Sequence, residues 1–509
     1  MGRVKSAERN IGFGFISNIV TGLLTFVLRT VFINHLGDSL MGVNDLYTSI
    51  LSVLSLAELG IGTALNFSLY GPVARKDYEK IKSYMLLYKK TYQVIGCVIG
   101  VIGIALIPFL PYLANIPEGV VITQRDLVFY YLIFLFNTVS TYFVSYKYSL
   151  ANAEQNNYIQ TNVITLTKIV TVSLQLLVIL ITGNYYVYLL TAAAVELLQK
   201  ILVSLYLNRR YSYLKDKNVE KLSREETGEI IKKTKALVFH KVGDVARLST
   251  DSMIISGFAD VNLVGFVTNY NTVINFVANF VNIIFNSVLS GFGNLIATES
   301  REKQYQLFKV YRFFACWVYG FSAMGFFMLL TPFIVLWGRS TLAFSVVACI
   351  LIDYYFKGDR IVLSNFKTAA GVFEQDKYLA LIQGAVNLVI SIVLMQQIGL
   401  VGVYIGTIVS GLIANVTKPF IIYKVCFDKP AGEYFRESVK YMAVLVVIFG
   451  VLWGIKQVVM QKISFVSFGV MFVITCVVFN VIFLILFGKT EEFRYLWNIV
   501  KQRLPIRQH

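Results

Sequence analysis

Fourteen apolar segments of about 20 residues or more constrain the fold of this chain more than any other feature. Their bounds are 11–36, 41–70, 83–113, 125–150, 157–182, 185–208, 235–259, 266–298, 305–336, 341–366, 378–397, 400–425, 438–457 and 464–488. As a helix, each is long enough to cross a hydrocarbon core about 30 Å thick. With 56% hydrophobic residues among 509, a water-soluble fold would leave too much apolar surface exposed. We therefore predict an all-α, multi-pass membrane protein with fourteen transmembrane helices.

The net charge of +17 is distributed unevenly. Most of the 46 lysines and arginines fall in tails and loops that share one side if the helices alternate across the membrane. An excess of basic residues is typical of cytoplasmic loops. We therefore predict that both termini are cytoplasmic. The basic loops account for the positive charge without a nucleic-acid partner.

The loops and the rare residue types argue against an enzyme. No loop is long enough for a soluble catalytic domain, and no glycine-rich phosphate-binding or dinucleotide-binding pattern occurs. The chain has only three histidines, His35, His240 and His509, which are too few for a histidine metal cluster. The five cysteines lie in apolar segments without the spacing of a zinc site. We predict no catalytic residue, no cofactor and no metal.

A weak internal repeat relates the first six segments to the next six. A shift of 223 residues aligns Ala74 with Ala297 and Glu79 with Glu302. Because six is even, both copies cross the membrane in the same sense, which predicts two parallel six-helix bundles with a central cleft. The predicted parts are an N-terminal bundle at 1–208, a basic cytoplasmic linker at 209–234, a C-terminal bundle at 235–427, and 428–509 for helices 13 and 14 with the tail. We interpret the linker as an amphipathic or solvated connector, and helices 13 and 14 as an addition outside the repeat.

The seventh segment carries ionisable residues on one helical face. His240, Asp244, Arg247 and Asp251 follow the spacing i, i+4, i+7 and i+11. Charged side chains inside a membrane are costly and by default indicate a transport path. A shift of 222 residues brings Asp251 into register with Arg29 of the first segment. We predict that these two residues pair across the central cleft when it narrows.

Five asparagines lie on one face of the eighth segment, and their amides suit sugar hydroxyl groups. They are Asn271, Asn275, Asn279, Asn282 and Asn286. The alternative is that they bond neighbouring helices, as asparagine does in other membrane proteins.

Further charged residues lie in the fifth, sixth and tenth segments. Lys168 shares a face with Thr165 and Gln175 in the fifth, and Glu196 and Lys200 are candidates in the sixth. The tenth carries Asp353, Lys357 and Arg360. The spacing i, i+4 also allows Glu196–Lys200 and Asp353–Lys357 to be ordinary local ion pairs.

These residues fall into two predicted roles. Arginine binds phosphate well because its planar fork donates two parallel hydrogen bonds. The predicted diphosphate ligands are Arg29, Arg247, Lys357, Arg360 and Lys168. A buried carboxylate has a raised pKa and is suited to carry a coupling proton. The candidates for ion coupling are Asp251, Glu58, Asp244 and Asp353.

The N-terminal segments resemble a known transporter superfamily. LRTVFINHLGDSLMGVNDLY, from Leu28 to Tyr47, and LAELGIGTAL, from Leu56 to Leu65, are similar to the polysaccharide repeat-unit flippases. These belong to the multidrug/oligosaccharidyl-lipid/polysaccharide exporter superfamily. The resemblance implies a V-shaped bundle around a cationic central cavity. It also implies a substrate, an oligosaccharide on undecaprenyl diphosphate that is turned to the outer leaflet by alternating access.

The resemblance also implies the cellular setting. We expect a bacterial cytoplasmic membrane, coupling to a H⁺ or Na⁺ gradient, contact with membrane lipids, and a pathway shared with a polysaccharide polymerase and glycosyltransferases. Three alternatives remain open: a multidrug antiporter for organic cations, a lipid II flippase, and a membrane-embedded polysaccharide polymerase. The basic lumen residues and the two extra helices count against the antiporter, and the repeat gives no support to a polymerase.

Overall fold

The computed structural model describes residues 2–55, 68–154, 156–216, 219–220, 222–223, 225–228, 250–287, 295–296, 299–372, 375–376 and 378–503. All regular elements in these ranges are helices. Ten of the described helices are long and apolar enough to cross a membrane. The predicted all-α membrane fold is confirmed, whereas the count of fourteen transmembrane helices and the repeat of two six-helix halves stay predictions.

The described residues divide into two compact units. Unit 1 comprises 1–265 with 380–388, and unit 2 comprises 266–379 with 389–509. The helices in chain order up to the linker are α1 Gly2–Leu36, α2 Asp38–Leu54, α3 Tyr78–Ala105, α4 Leu110–Leu113, α5 Gln124–Ala153, α6 Asn157–Thr182 and α7 Tyr185–Arg210. Those after it are α8 Val261–Ser287, α9 Arg301–Leu336, α10 Phe344–Asp359, α11 Ile361–Ala370, α12 Leu379–Ile398, α13 Leu400–Ile422, α14 Gly432–Val459, α15 Phe465–Phe487 and α16 Glu491–Arg503. The predicted division at 208 and 235 stays a prediction.

Prolines and caps determine where several helices end. The segment predicted as one helix at 83–113 is α3, a short 3-10 turn and α4, because Pro108 and Pro111 lack the N–H groups that a continuous helix needs. The turn between α6 and α7 is short. Gly183 ends α6 in the left-handed conformation with φ 56°, and the Asn184 side chain caps α7 by accepting from the Tyr186 amide at 2.8 Å. The tight turn places α6 beside α7.

The core of unit 1 contains many buried tyrosines, and the hydroxyl groups of Tyr47 and Tyr131 bond the backbone of a neighbouring helix. Tyr47 of α2 donates to the Leu127 carbonyl at 3.0 Å, and Tyr131 of α5 donates to the Gly103 carbonyl at 3.1 Å. Such bonds satisfy the phenol inside an apolar core. The start of α8 also packs closely here, because a Cβ at Gly42 would overlap the Val261 carbonyl.

In unit 2, α10 and α11 form one predicted segment with a break at residue 360. The Arg360 guanidinium is buried and donates to the Gly411 carbonyl at 3.2 Å and to Asn415 Oδ1 at 2.6 Å, both on α13. The adjacent Asp359 carboxylate points to α14, where it accepts from the Tyr434 hydroxyl at 2.9 Å. Each side of the break is therefore bonded to a different neighbouring helix.

The described part of the linker lies against the start of α3. Asp216 accepts from Lys82 at 2.9 Å, Glu226 pairs with Lys80, and the Glu220 carbonyl accepts from Ser83 at 2.6 Å. The hydrogen bond from Lys80 lowers the pKa of the Glu226 carboxyl below its ordinary value. This part of the linker is therefore docked on α3, and the amphipathic or solvated character of the whole linker stays a prediction.

Candidate functional site

Unit 1 contains a polar cavity of about 600 Å³ between α5, α6 and α7, with α1 and α2 contributing three residues. Hydroxyl and amide side chains dominate its polar lining: Asn44, Thr48, Asn137, Thr138, Thr141, Ser145, Tyr148, Gln160, Thr167, Thr171, Gln175, Tyr188 and Gln199. Its charged residues are Lys168, Glu196 and Lys200. A volume of this size is in the range of ligand sites.

The spacing of polar residues along α6 explains how this wall forms. Gln160, Thr167 and Thr171 follow one another at seven and four residues, and Lys168, Thr171 and Gln175 at three and four, which keeps them on one helical face. The opposite face of α6 is apolar and exposed, as expected for a helix that faces lipid. The sequence predicted Lys168 and Gln175 on one face, and the structure places both in the cavity wall.

The two lysines of the cavity have different surroundings. The Lys200 ammonium donates to the Asn137 carbonyl and to Ser140 Oγ, both at 2.9 Å, and lies 3.8 Å from Glu196. The local Glu196–Lys200 pair expected from the spacing is therefore present. Among the described residues, no carboxylate lies within ion-pair distance of Lys168. Two cations and one carboxylate leave this cavity with a net positive charge.

This composition limits which ligands fit the cavity. Hydroxyl and amide groups donate and accept hydrogen bonds, which suits the hydroxyl groups of a sugar. A lysine ammonium supplies three donors and a point charge, which suits phosphate or carboxylate. No group of three His, Cys, Asp or Glu side chains within the described residues is arranged to hold a metal ion.

Arg29, a predicted diphosphate ligand, lies outside the cavity lining and is buried in unit 1. Its guanidinium forms two bonds with the Asp45 carboxylate, at 3.2 and 2.8 Å, and donates to the Gly265 carbonyl at 3.0 Å. These bonds join α1 to α2 and to the start of α8. Asp45 is thus an observed partner of Arg29, and the predicted pairing of Arg29 with half-buried Asp251 stays a prediction.

The predicted residues of α10 form local or structural contacts in unit 2. Lys357 pairs with Asp353 at 2.6 Å, as the i, i+4 spacing allows. Arg360 is fixed to α13 by the bonds described above. The geometry therefore favours a structural role for Arg360, and the lining of the polar cavity includes neither Arg360 nor Lys357.

The asparagines of α8 do not share one environment. Asn275 and Asn279 are exposed, Asn271 is half-buried, and Asn282 accepts from the Tyr319 hydroxyl at 2.9 Å. The bond to Tyr319 is the interhelical contact that we named as the alternative to sugar binding. The side chain of Asn286 lies outside the described residues, as do Glu58, Asp244 and Arg247.

Most of the cavity's uncharged residues were not predicted from the sequence. Asn137, Thr138 and Thr141 of α5 line the wall of the cavity. A few amide and hydroxyl side chains in an apolar helix do not by themselves indicate a binding site. Their recurrence on one face of α5 was the signal available. A second missed group is the buried charge cluster around Arg312 in unit 2, where Arg312 pairs with Glu437 at 2.8 Å and lies 3.8 Å from Asp359.

Comparison with known proteins identifies the family. Residues 7–290, more than half of the chain, match the family described as polysaccharide biosynthesis protein. The chain belongs to this family. The match covers every helix that forms the polar cavity. No curated protein matches the chain.

Solved structures with the same fold are membrane transporters. The lipid II flippase MurJ in an inward closed conformation has a TM-score of 0.66 at 13% identity, covering 94% of this chain and 99% of its own. An inward-facing MATE family multidrug resistance transporter of the MOP superfamily has a TM-score of 0.62 at 13% identity, covering 79% and 94%. A Vibrio cholerae MATE transporter reaches 0.56 at 15% identity, covering 85% and 100%. At such identities the likeness shows the fold alone.

Proposed function

We propose that this protein flips an oligosaccharide linked to undecaprenyl diphosphate from the cytoplasmic to the outer leaflet of a bacterial membrane by alternating access. Membership of the polysaccharide biosynthesis family supports a role in glycan assembly. The multi-pass fold supports a task that is carried out across a membrane.

The polar cavity of unit 1 is the observation that carries this proposal. Its wall combines many hydroxyl and amide groups with Lys168 and Lys200, so one space serves both a glycan and an anionic group. The lysines disfavour an organic cation as substrate, because like charges repel at close range.

Coupling to a H⁺ or Na⁺ gradient forms part of the proposal. Asp251 and Asp353 remain coupling candidates among the described residues, with Glu58 and Asp244 outside them. Asp353 is buried and forms an ion pair with Lys357. We expect this ion pair to break and re-form during transport. We expect the protein to work with a polymerase and glycosyltransferases of the same pathway.

A reconstituted flipping assay tests the proposal. Proteoliposomes would contain a fluorescent polyprenyl-diphosphate trisaccharide, and a membrane-impermeant quencher would report the fraction that has moved between leaflets. We expect the protein to raise the rate at least tenfold over empty vesicles, and Lys168→Met to remove most of the gain. Equal rates with and without protein would overturn the proposal.

A lipid II flippase is the second candidate, favoured by the similarity to MurJ over almost the whole chain. The same vesicles loaded with fluorescent lipid II separate the two substrates. Faster movement of lipid II than of the trisaccharide lipid would favour this alternative. Ethidium uptake in a third set of vesicles tests the multidrug antiporter.

A further inference from the structure

A second, apolar cavity of about 510 Å³ lies between α5 and α7 of unit 1. We call it the α5–α7 groove. Its walls include Phe136 and Phe143 of α5 with Leu197, Ile201 and Leu205 of α7. All five side chains are exposed in the described part of the chain, with Ile201 at 50% and Leu205 at 53%. In a membrane protein such a surface faces lipid chains.

Lys200 connects this groove with the polar cavity. It is the charged residue in the groove lining, and it also lines the polar cavity. Its ammonium is bonded to Asn137, which lines the polar cavity, and to Ser140, which lines the groove. The lysine therefore lies where a lipid-facing apolar surface meets a polar interior.

A second lysine lies towards the basic end of α7. Lys147 of α5 donates to Asn208 Oδ1 at 2.9 Å and to Ser204 Oγ, and Ser204 lines the groove. Both partners are neutral, and no carboxylate in the described part of the chain forms an ion pair with Lys147. Arg209 and Arg210 follow on α7, at the end that the charge pattern predicts to be cytoplasmic. An anionic lipid that approaches from this side meets cations before it meets the groove.

We propose that the α5–α7 groove binds the prenyl chain of the lipid-linked substrate, with the diphosphate at Lys200 and the glycan in the polar cavity. Lys147 forms the first contact with the diphosphate at the cytoplasmic end. This inference rests on the proposed function, because it assigns the three parts of that substrate to three adjoining surfaces of unit 1.

The chemistry of the three surfaces favours this occupant over an ordinary phospholipid. A phospholipid satisfies the apolar groove and Lys147, but it has no polar part large enough to use the hydroxyl and amide wall of the polar cavity. A prenyl-diphosphate glycan has an apolar chain, a strong anion and many hydroxyl groups. It contacts all three surfaces. Its diphosphate lies between the prenyl chain and the glycan, as Lys200 lies between the α5–α7 groove and the polar cavity.

Photo-crosslinking on the full-length protein in detergent tests the position of the chain. The probe is farnesyl diphosphate with a benzophenone at its apolar end, and peptides are identified by mass spectrometry. We expect the label on α5 and α7 within the groove, and at least tenfold less labelling with excess undecaprenyl diphosphate. Labelling elsewhere overturns the proposal. Equal competition by phosphatidylglycerol overturns it in favour of a phospholipid site.

Two substitutions separate the groove from the charge. Ile201→Trp fills the groove, and Leu198→Trp is its control, because Leu198 is 57% exposed on the same helix and lies outside the groove. We expect Ile201→Trp to weaken binding of both farnesyl diphosphate and farnesol at least fivefold. Lys200→Met should weaken the diphosphate about tenfold and leave farnesol unchanged. If Ile201→Trp and Leu198→Trp bind alike, the groove assignment is wrong.

The flipping assay distinguishes this proposal from the proposed function. If the wild-type protein flips no glycolipid yet the probe labels the groove, the function fails and the prenyl site stands. If the wild-type protein flips the trisaccharide lipid and the Ile201→Trp variant does so at the wild-type rate, the function stands and the site is wrong.

Discussion

Two regions that contain charged side chains inside the helix bundle show how similar residues have different roles. The polar cavity of unit 1 holds Lys168, Lys200 and Glu196 around space that a ligand can fill. The cluster around Arg312 in unit 2 is closed. Its guanidinium lies over the Tyr434 ring, 3.6 Å from the centroid, and also donates to the Tyr434 carbonyl at 2.8 Å and to Ser438.

The contrast between the open cavity and the closed cluster bears on how a charged residue inside a membrane is interpreted. Such a residue is a functional candidate by default. Where carboxylates, a carbonyl, a hydroxyl and a ring surround the charge, as at Arg312, the protein itself offsets its desolvation. Where the wall is rich in neutral donors and acceptors and one cation has no ion pair among the described residues, as at Lys168, the site is suited to a ligand. Substitutions of Arg312, Arg29 and Lys168 test this distinction.

Arg312→Met should destabilise the protein most. The change leaves Asp359 and Glu437 without their cation, and breaking a buried ion pair costs about 3–5 kcal/mol. We expect loss of the monodisperse peak in fluorescence-detected size-exclusion chromatography. Lys309→Met is the control, because Lys309 lies 3.7 Å from Glu433 in a more exposed pair, which contributes about 0–1 kcal/mol. A wild-type profile for Arg312→Met would contradict a structural role.

Arg29→Met should have the next largest effect, because it leaves Asp45 buried without its partner. We expect a loss of about 2–4 kcal/mol, slightly below the range for fully buried pairs because the Asp45 side chain is 12% exposed. Replacing both residues, as Arg29→Met with Asp45→Leu, should restore most of the thermal stability in detergent. If Arg29→Met unfolds at the wild-type temperature yet abolishes transport, Arg29 is the diphosphate ligand that the sequence predicted.

Lys168→Met should leave stability unchanged and reduce glycolipid flipping about 10–100-fold, since a hydrogen bond to a charged group contributes about 1.5–3 kcal/mol. Lys424→Met is the control, because Lys424 is exposed and lies outside the cavity. Lys357→Met tests the other predicted lysine in the same vesicles. A larger loss at Lys357 than at Lys168 would favour a substrate site at α10 over the polar cavity.

The smallest effect concerns the docked linker and pH. The lowered pKa of Glu226 means that its contribution is present above its ordinary value of 4.5 and is lost as the pH falls through the lowered folded value. Spin labels at Arg75 and Glu225 should therefore move apart in acid. Glu226→Gln should show the longer distance at neutral pH. The same distance in Glu226→Gln and the wild type would show that Lys80 does not hold the linker.

The sequence predicts the membrane fold well because long apolar segments leave few alternatives. It also identifies the family and the pairs Glu196–Lys200 and Asp353–Lys357, which depend on spacing within one helix. The sequence does not predict side-chain contacts between residues that are far apart in the chain. Nothing near Arg29 distinguishes Asp45 from Asp251, and nothing near Arg360 indicates Asn415 of α13. The same limit applies to the polar cavity, because its neutral residues form a site only where α5, α6 and α7 face each other.

The closed cluster around Arg312 has a consequence for biogenesis. Arg312 and Asp359 enter the membrane early, whereas Glu437 and Ser438 follow after roughly 80 more residues, or on the order of 5–15 s of synthesis. In the finished fold Arg312 and Asp359 lie 3.8 Å apart, and before α14 is inserted both lack the partners that α14 supplies. A chain that ends before α14 therefore leaves both charges without these partners, whereas insertion of α14 completes the cluster.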